Sequence, residues 1–218
     1  MKKLVVYSLW GKDRKYGFGA IRNAEINQEI YPEFISRFHV DLTVPRDIIY
    51  DLEDIPNVEI VTHPVVGDWT FSMNRFLSFA DPTVEIFLSR DCDSRPSLRE
   101  RSAVDEWMKS GKSFHIMRDH PRHGNYPILA GMFASRGGII ENYHSLLNSF
   151  NKINYYHTDQ DFLRKCVFPV VKGDCVIHDE FFEKKPFPLP RNGTEFIGDV
   201  FDENDQRSDE FWRELGVS

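Results

Sequence analysis

Apolar runs of strand length recur at residues 3–9, 38–43, 58–62, 84–89 and 114–117, and helical spacing fills most of the gaps between them. That order constrains the fold more than any other feature of the chain. Strands alternating with helices build an α/β domain with a mainly parallel sheet, because parallel neighbours need a crossover long enough to hold a helix. One helix is unusually well marked. Ser97 and Glu100 form a capping box, and Ala103, Val104, Trp107 and Met108 make an apolar stripe opposite Arg101, Asp105, Glu106 and Lys109, so the helix should end near Gly111. From about Phe181 the chain changes character. Pro186, Pro188 and Pro190 precede an acidic run with Asp199, Asp202, Glu203 and Asp205, which predicts an extended tail over the surface at 181–218. With 218 residues, 41% of them hydrophobic, the whole chain 1–218 is expected to form a single domain around one core.

Several function classes fall away on composition. No window approaches the roughly 18 apolar residues of a membrane span. The start, Met1-Lys2-Lys3 followed by Leu4-Val5-Val6-Tyr7, is too short an apolar stretch for a signal peptide and reads as a first strand. Cys92, Cys166 and Cys175 lack C-x-x-C spacing and fit reduced thiols in a cytoplasmic compartment. Without a secretory signal, the glycosylation pattern Asn192-Gly193-Thr194 reads as chance. A formal net charge of -7 argues against a nucleic-acid partner, yet leaves room for a phosphorylated ligand held by a few arginines. Gly11, Gly17 and Gly19 fit neither the dinucleotide-binding nor the P-loop spacing.

The chemistry points to Asp91 and Asp93. They directly follow the apolar run of Val84, Ile86, Phe87 and Leu88. In an extended backbone, side chains two residues apart project to the same face, so both carboxylates can converge on one point. The carboxyl end of a strand in a parallel sheet is also where ligands bind. Converging carboxylates repel unless a positive charge lies between them, and Mg²⁺ or Mn²⁺ takes such oxygen ligands and can in turn hold a diphosphate. The plainer alternative is that one aspartate caps the next turn while the other is solvated.

Further segments carry a family resemblance: Asn74-Arg75-Phe76-Leu77, the run from Ser89 to Arg95, Arg99-Glu100, Glu106-Trp107, Phe114-His115-Ile116-Met117-Arg118-Asp119-His120-Pro121, Ile128-Leu129-Ala130-Gly131-Met132-Phe133, Asp159-Gln160 and His178-Asp179. On these, from about residue 70 to 180, the chain resembles nucleotide-sugar glycosyltransferases of the GT-A fold. It looks most like the small enzymes encoded by chlorella viruses and other large DNA viruses. The resemblance implies an α/β/α sandwich that transfers a hexose or deoxyhexose from a UDP-sugar, such as UDP-glucose, to a glycan or glycoprotein acceptor. For a viral protein the setting would be the host-cell cytoplasm.

It also implies roles for particular residues. Asp91 and Asp93 would hold Mn²⁺ or Mg²⁺ on the diphosphate, with His178 as a further ligand. Ser8, Leu9 and Trp10 close the first strand, where the nucleotide base is expected, and Arg75 and Arg90 would meet the diphosphate. Arg118 would lie near phosphate or sugar, and Gly131 with Met132 would let the backbone approach the donor. Asp119, bonding sugar hydroxyls, and Asp159, at a helix start capped by Thr158, are the candidate catalytic carboxylates. Structural alternatives stand beside each role: a hydrogen-bonded strand-end histidine for His178, surface salt bridges for Arg75 and Arg90, and a favourable helix dipole for Asp159. His115, His120 and His123 match no zinc pattern. Two other classes compete. A haloacid dehalogenase-type phosphatase also carries D-x-D after a strand, but here Ser89-Arg90 intervene and Arg95 stands where that family has Thr or Val. The other is a nucleotide- or glycan-binding module without turnover.

Overall fold

The computed structural model describes residues 1–207 and 209–215. Seven strands form one sheet: β1 (Lys2–Leu9), β2 (Ile35–Val40), β3 (Val58–Thr62), β4 (Val84–Arg90), β5 (Phe114–Arg118), β6 (Met132–Arg136) and β7 (Cys175–Asp179). Their order is β3-β2-β1-β4-β6-β5-β7, and only β6 runs antiparallel to its neighbours. The crossovers carry α1 (Arg14–Ile30), α2 (Arg46–Glu53), a long 3₁₀ segment (Trp69–Phe79) and α3 (Leu98–Ser110). After β6 come α4 (Tyr143–Ser149) and α5 (Thr158–Phe162). The latter continues through a π turn (Leu163–Val167) into α6 (Phe168–Val171). The π turn has a local cause: Pro169 has no N–H to give an α-helical bond at that point.

Strand β1 shows why the sheet is covered on both sides. Leu4 and Val6 pack with Met73, Phe76 and Phe79 of the 3₁₀ segment and with Phe162 and Val167. Val5 and Tyr7 point the other way, among Ala20 and Ala24 of α1, Leu52 of α2 and Trp107 of α3. A strand buried on both faces reads as a continuous apolar run, as this one does. β1 pairs with β2 on one side and β4 on the other, both parallel, so the direction of winding reverses between β1 and β4. At such a reversal the carboxyl ends of the two strands leave a crevice between their diverging connections.

Several sequence expectations are corrected in detail. β2 begins earlier than residue 38 and stops at Val40, because the Asp41 carboxylate accepts from the Thr43 N–H (2.9 Å) and the Gly67 N–H (2.6 Å) and so turns the chain. Ser97 does cap α3, its Oγ accepting from Glu100 N (3.2 Å), and Gly111 closes the helix with φ 77°. The reciprocal half of the capping box is missing. Glu100 instead turns inward to Arg90 Nε (2.8 Å) and the Tyr31 hydroxyl (2.7 Å), both buried. Thr158 is the first residue of α5 rather than its cap, which is His157. Among the described residues the tail has no long element, and it is not merely draped over the surface. Phe187 and Ile197 pack with Ala103, Met117 and Met132 in a third apolar cluster. No helix among the described residues is long and apolar enough to cross a membrane.

Candidate active site

A cleft of about 380 Å³ opens at the carboxyl ends of β1 and β4. Its floor is the loop that follows β4, and α1 grips that loop from behind. Asn23 Nδ2 donates to the carbonyls of Asp91 and Cys92, both at 3.2 Å. Gly19 lies so close that a Cβ there would sit 2.1 Å from the Cys92 oxygen. With its carbonyls bound to the helix, the loop presents the Asp91 and Asp93 side chains to the cleft. Gly131 makes room from the opposite wall, since a Cβ at that position would lie 2.0 Å from Asp91 Oδ2.

Two cations neutralise these carboxylates. Arg75, on the 3₁₀ segment, places Nη1 on Asp91 Oδ1 and on the Arg90 carbonyl (2.8 Å), while its Nη2 bonds Asp159 Oδ2 (3.0 Å). Its own backbone N–H donates to Ser8 Oγ (3.0 Å), and that hydroxyl donates to the Ser72 carbonyl (3.1 Å), which ties the segment to β1. Lys15 Nζ, at the start of α1, lies 2.7 Å from Asp93 Oδ2. Burial raises Asp93 above the usual carboxylate range, the neighbouring Asp91 charge adds to this, and Lys15 opposes both. Asp159 is likewise raised, chiefly by burial, with Arg75 pulling it down and Asp91 pushing it up. Its Oδ1 accepts from Gln160 N (2.8 Å), which fixes the carboxylate at the head of α5.

The fold is GT-A-like. Among solved structures, the chain is similar to a glycosyltransferase involved in glycosylation of the major capsid of PBCV-1, with TM-score 0.53 and 16% identity over 83% of this chain and 82% of that one. A mannosyltransferase from Pyrobaculum calidifontis, solved with GDP-Man and Mn²⁺, gives TM-score 0.53 and 14% identity over 82% of this chain and 55% of that one. A 4-diphosphocytidyl-2C-methyl-D-erythritol synthase from Anaerococcus prevotii gives 0.54 and 12% identity over 87% and 91%. No family model and no curated protein matches the sequence.

In this GT-A-like frame, Ser8, Leu9, Trp10, Arg75, Asp91, Asp93, Gly131, Met132 and Asp159 all line one cleft. Four other residues proposed from sequence do not. Arg90 is buried on Glu100 and donates to the Ser89 (2.7 Å) and Phe133 (3.0 Å) carbonyls, so its guanidinium is used inside the fold. Arg118 pairs with Asp179 (2.7 Å) and Glu183 (2.6 Å). His178 lies with Nδ1 2.8 Å from His115 Nε2 and Nε2 3.4 Å from Glu106, which engages both ring nitrogens. Asp119 is fully buried and accepts from Arg99 Nε (3.1 Å), Arg191 Nη2 (2.7 Å) and Ile197 N (3.0 Å), so it ties the tail to the end of β5.

The cleft also contains residues that sequence reasoning passed over, among them Tyr16, Trp69 and Tyr156, and Lys15 borders it through its contact with Asp93. Trp69 meets Trp10 edge-on at 6.0 Å and Tyr156 at 5.0 Å, forming an aromatic wall beside Asp159. Tyr156 had a usable signal, since it stands three residues before Asp159. Lys15 had none, being one of 27 basic residues. No group of three or more His, Cys, Asp or Glu among the described residues is placed to hold a metal ion. Two carboxylates still suit Mg²⁺ or Mn²⁺, because such ions commonly take one or two carboxylates and complete their shell with water and substrate phosphate. The close seat of Asp91 against Gly131 fits that use.

Proposed function

We propose that the protein is a glycosyltransferase that moves a hexose or deoxyhexose from a UDP-sugar, such as UDP-glucose, to a glycan acceptor, with Mn²⁺ or Mg²⁺ held by Asp91 and Asp93. The observation that carries this reading is the meeting of Asp91 and buried Asp159 on the single guanidinium of Arg75, with Asp93 in the same cleft, at the crevice between β1 and β4. Likeness in fold to the mannosyltransferase bound to GDP-Man and Mn²⁺ supports it. When bound, the cation supplies positive charge to the departing diphosphate. Ser8, Leu9 and Trp10 frame the nucleoside end of the cleft. Arg75 fixes the direction of both Asp91 and Asp159. Asp159 faces the reacting carbon or takes the proton of the acceptor hydroxyl, and the exposed aromatic wall beside it bounds that end of the site. A likeness in fold to a diphosphocytidyl-methylerythritol synthase admits a second reading, nucleotidyl transfer.

The products separate these readings. Incubation with UDP-glucose and other UDP-sugars plus Mn²⁺ should release UDP, and EDTA should stop the release without lowering the melting temperature. Pyrophosphate released from a nucleoside triphosphate would favour nucleotidyl transfer. Heat of UDP binding with no turnover of any donor would make the protein a binding module.

A further inference from the structure

Asp91 and Asp93 are each paired with a cation, and the two cations are built differently. Arg75 has a side chain only 5% accessible, bonds three acceptors and is the counter-ion of buried Asp159. Moving it would strip that buried carboxylate of its counter-ion, which is costly. Lys15 is more loosely held. Its side chain is 27% accessible, it occupies the second position of α1, and its ammonium has one carboxylate partner, Asp93, and lies 5.2 Å from the Tyr16 ring centroid. A lysine carries its charge on a flexible four-carbon stem, so it can leave a partner and find another nearby.

Asp93 cannot be left bare. Its side chain is 17% accessible and the Asp91 carboxylate lies two residues away, so withdrawal of Lys15 exposes two like charges to one another. Something positive must replace the ammonium. Four carboxylates, Asp13, Asp91, Asp93 and Asp159, stand in and beside the cleft with three side-chain cations, Lys12, Lys15 and Arg75. A divalent ion arriving alone reverses that balance and leaves the displaced ammonium without an anion. A diphosphate arriving with the ion provides one.

Taking Asp91 and Asp93 as the cation site, we propose that Lys15 is an internal counter-cation that a divalent ion displaces from Asp93, and that the freed ammonium then binds the diphosphate. Lys15 thereby makes cation and nucleotide bind cooperatively. Coupling of this kind is reciprocal: each ligand raises the affinity of the other by the same factor. Lys15 is in this account a ligand of the diphosphate and a competitor of the metal. Replacing it should therefore move two affinities in opposite directions, which loss of a merely structural contact would not do.

Calorimetric titration of the whole protein with Mn²⁺ alone, and with UDP at saturating Mn²⁺, tests this. Lys15→Met should bind Mn²⁺ alone about three- to tenfold more tightly, since a partly exposed ion pair no longer competes. It should bind UDP roughly tenfold or more weakly, through loss of a charge-assisted bond to phosphate. Lys2→Met removes the same charge from an ion pair with Glu59 outside the cleft lining, and should change each affinity by less than about twofold. Unchanged or weaker Mn²⁺ binding in Lys15→Met overturns the proposal, as does unchanged UDP affinity. If the wild type binds no Mn²⁺ with or without UDP, the cation reading of Asp91 and Asp93 fails first and this inference falls with it.

Discussion

Asp159 and Gly131 show how much of the site is decided by single atoms. Asp159 is held by Arg75 and by the Gln160 N–H, inside a site that raises its pKa through burial. Asp159→Asn keeps the shape and removes the charge, so kcat should fall by about a hundredfold or more while UDP affinity changes little. The pH profile adds a sign. A carboxyl raised above its ordinary value of 3.8 takes up its proton sooner on acidification, so activity that needs the carboxylate should be lost at a pH above that value. In Asp159→Asn this acidic limb should vanish from the kcat profile. Gly131→Ala probes the opposite wall. Its Cβ would overlap Asp91 Oδ2, so the carboxylate must swing away, and Mn²⁺-dependent UDP binding should fall at least tenfold with the melting temperature nearly kept, because the carboxylate end can yield where a packed core could not.

At the scale of elements, α1 and the tail act on the site from outside it. α1 supplies Asn23 and Gly19 to the loop after β4, and its first turn supplies Lys15. The tail returns to the same loop, where Phe201 N donates to the Asp93 carbonyl (2.8 Å) and Arg95 Nε bonds Asp205 (2.8 Å). Asp119 anchors that tail. Asp119→Ala would leave Arg99 and Arg191 with Glu180 as their remaining carboxylate and the buried Ile197 N–H without its acceptor, and should cost about 1–3 kcal/mol of stability, with faster amide exchange across residues 180–207. Retained stability together with altered choice among UDP-sugars would return Asp119 to the sugar. Strands β1 to β5 and α3 were legible because apolar runs and the Ser97–Gly111 boundaries follow local rules. β6 was not, since Met132–Arg136 is short and ends in polar residues, and what makes it a strand is pairing with β4 and β5 across long stretches of chain. The same limit applied to side chains. The sequence shows that Arg90 follows a strand beside Asp91, but not that its guanidinium turns inward to Glu100.

At the scale of the whole molecule, the proposed hold of an acidic chain on an anionic ligand is a matter of local charge. The net charge is -7, yet Arg75 in the cleft and Lys15 beside it stand at the reversal between β1 and β4, and a divalent ion would offset the excess of carboxylates there. Reversal of winding in a mainly parallel sheet also explains why residues as distant as Ser8, Arg75, Asp91 and Asp159 meet at one crevice. We propose that this crevice binds a cation and a nucleoside diphosphate together. A crystal soaked with UDP and Mn²⁺, with diffraction data collected at a wavelength where manganese scatters anomalously, tests it most directly. An anomalous peak is expected between the Asp91 and Asp93 carboxylates, in contact with the UDP diphosphate. UDP bound elsewhere, or in this cleft with no manganese beside those carboxylates, would contradict it.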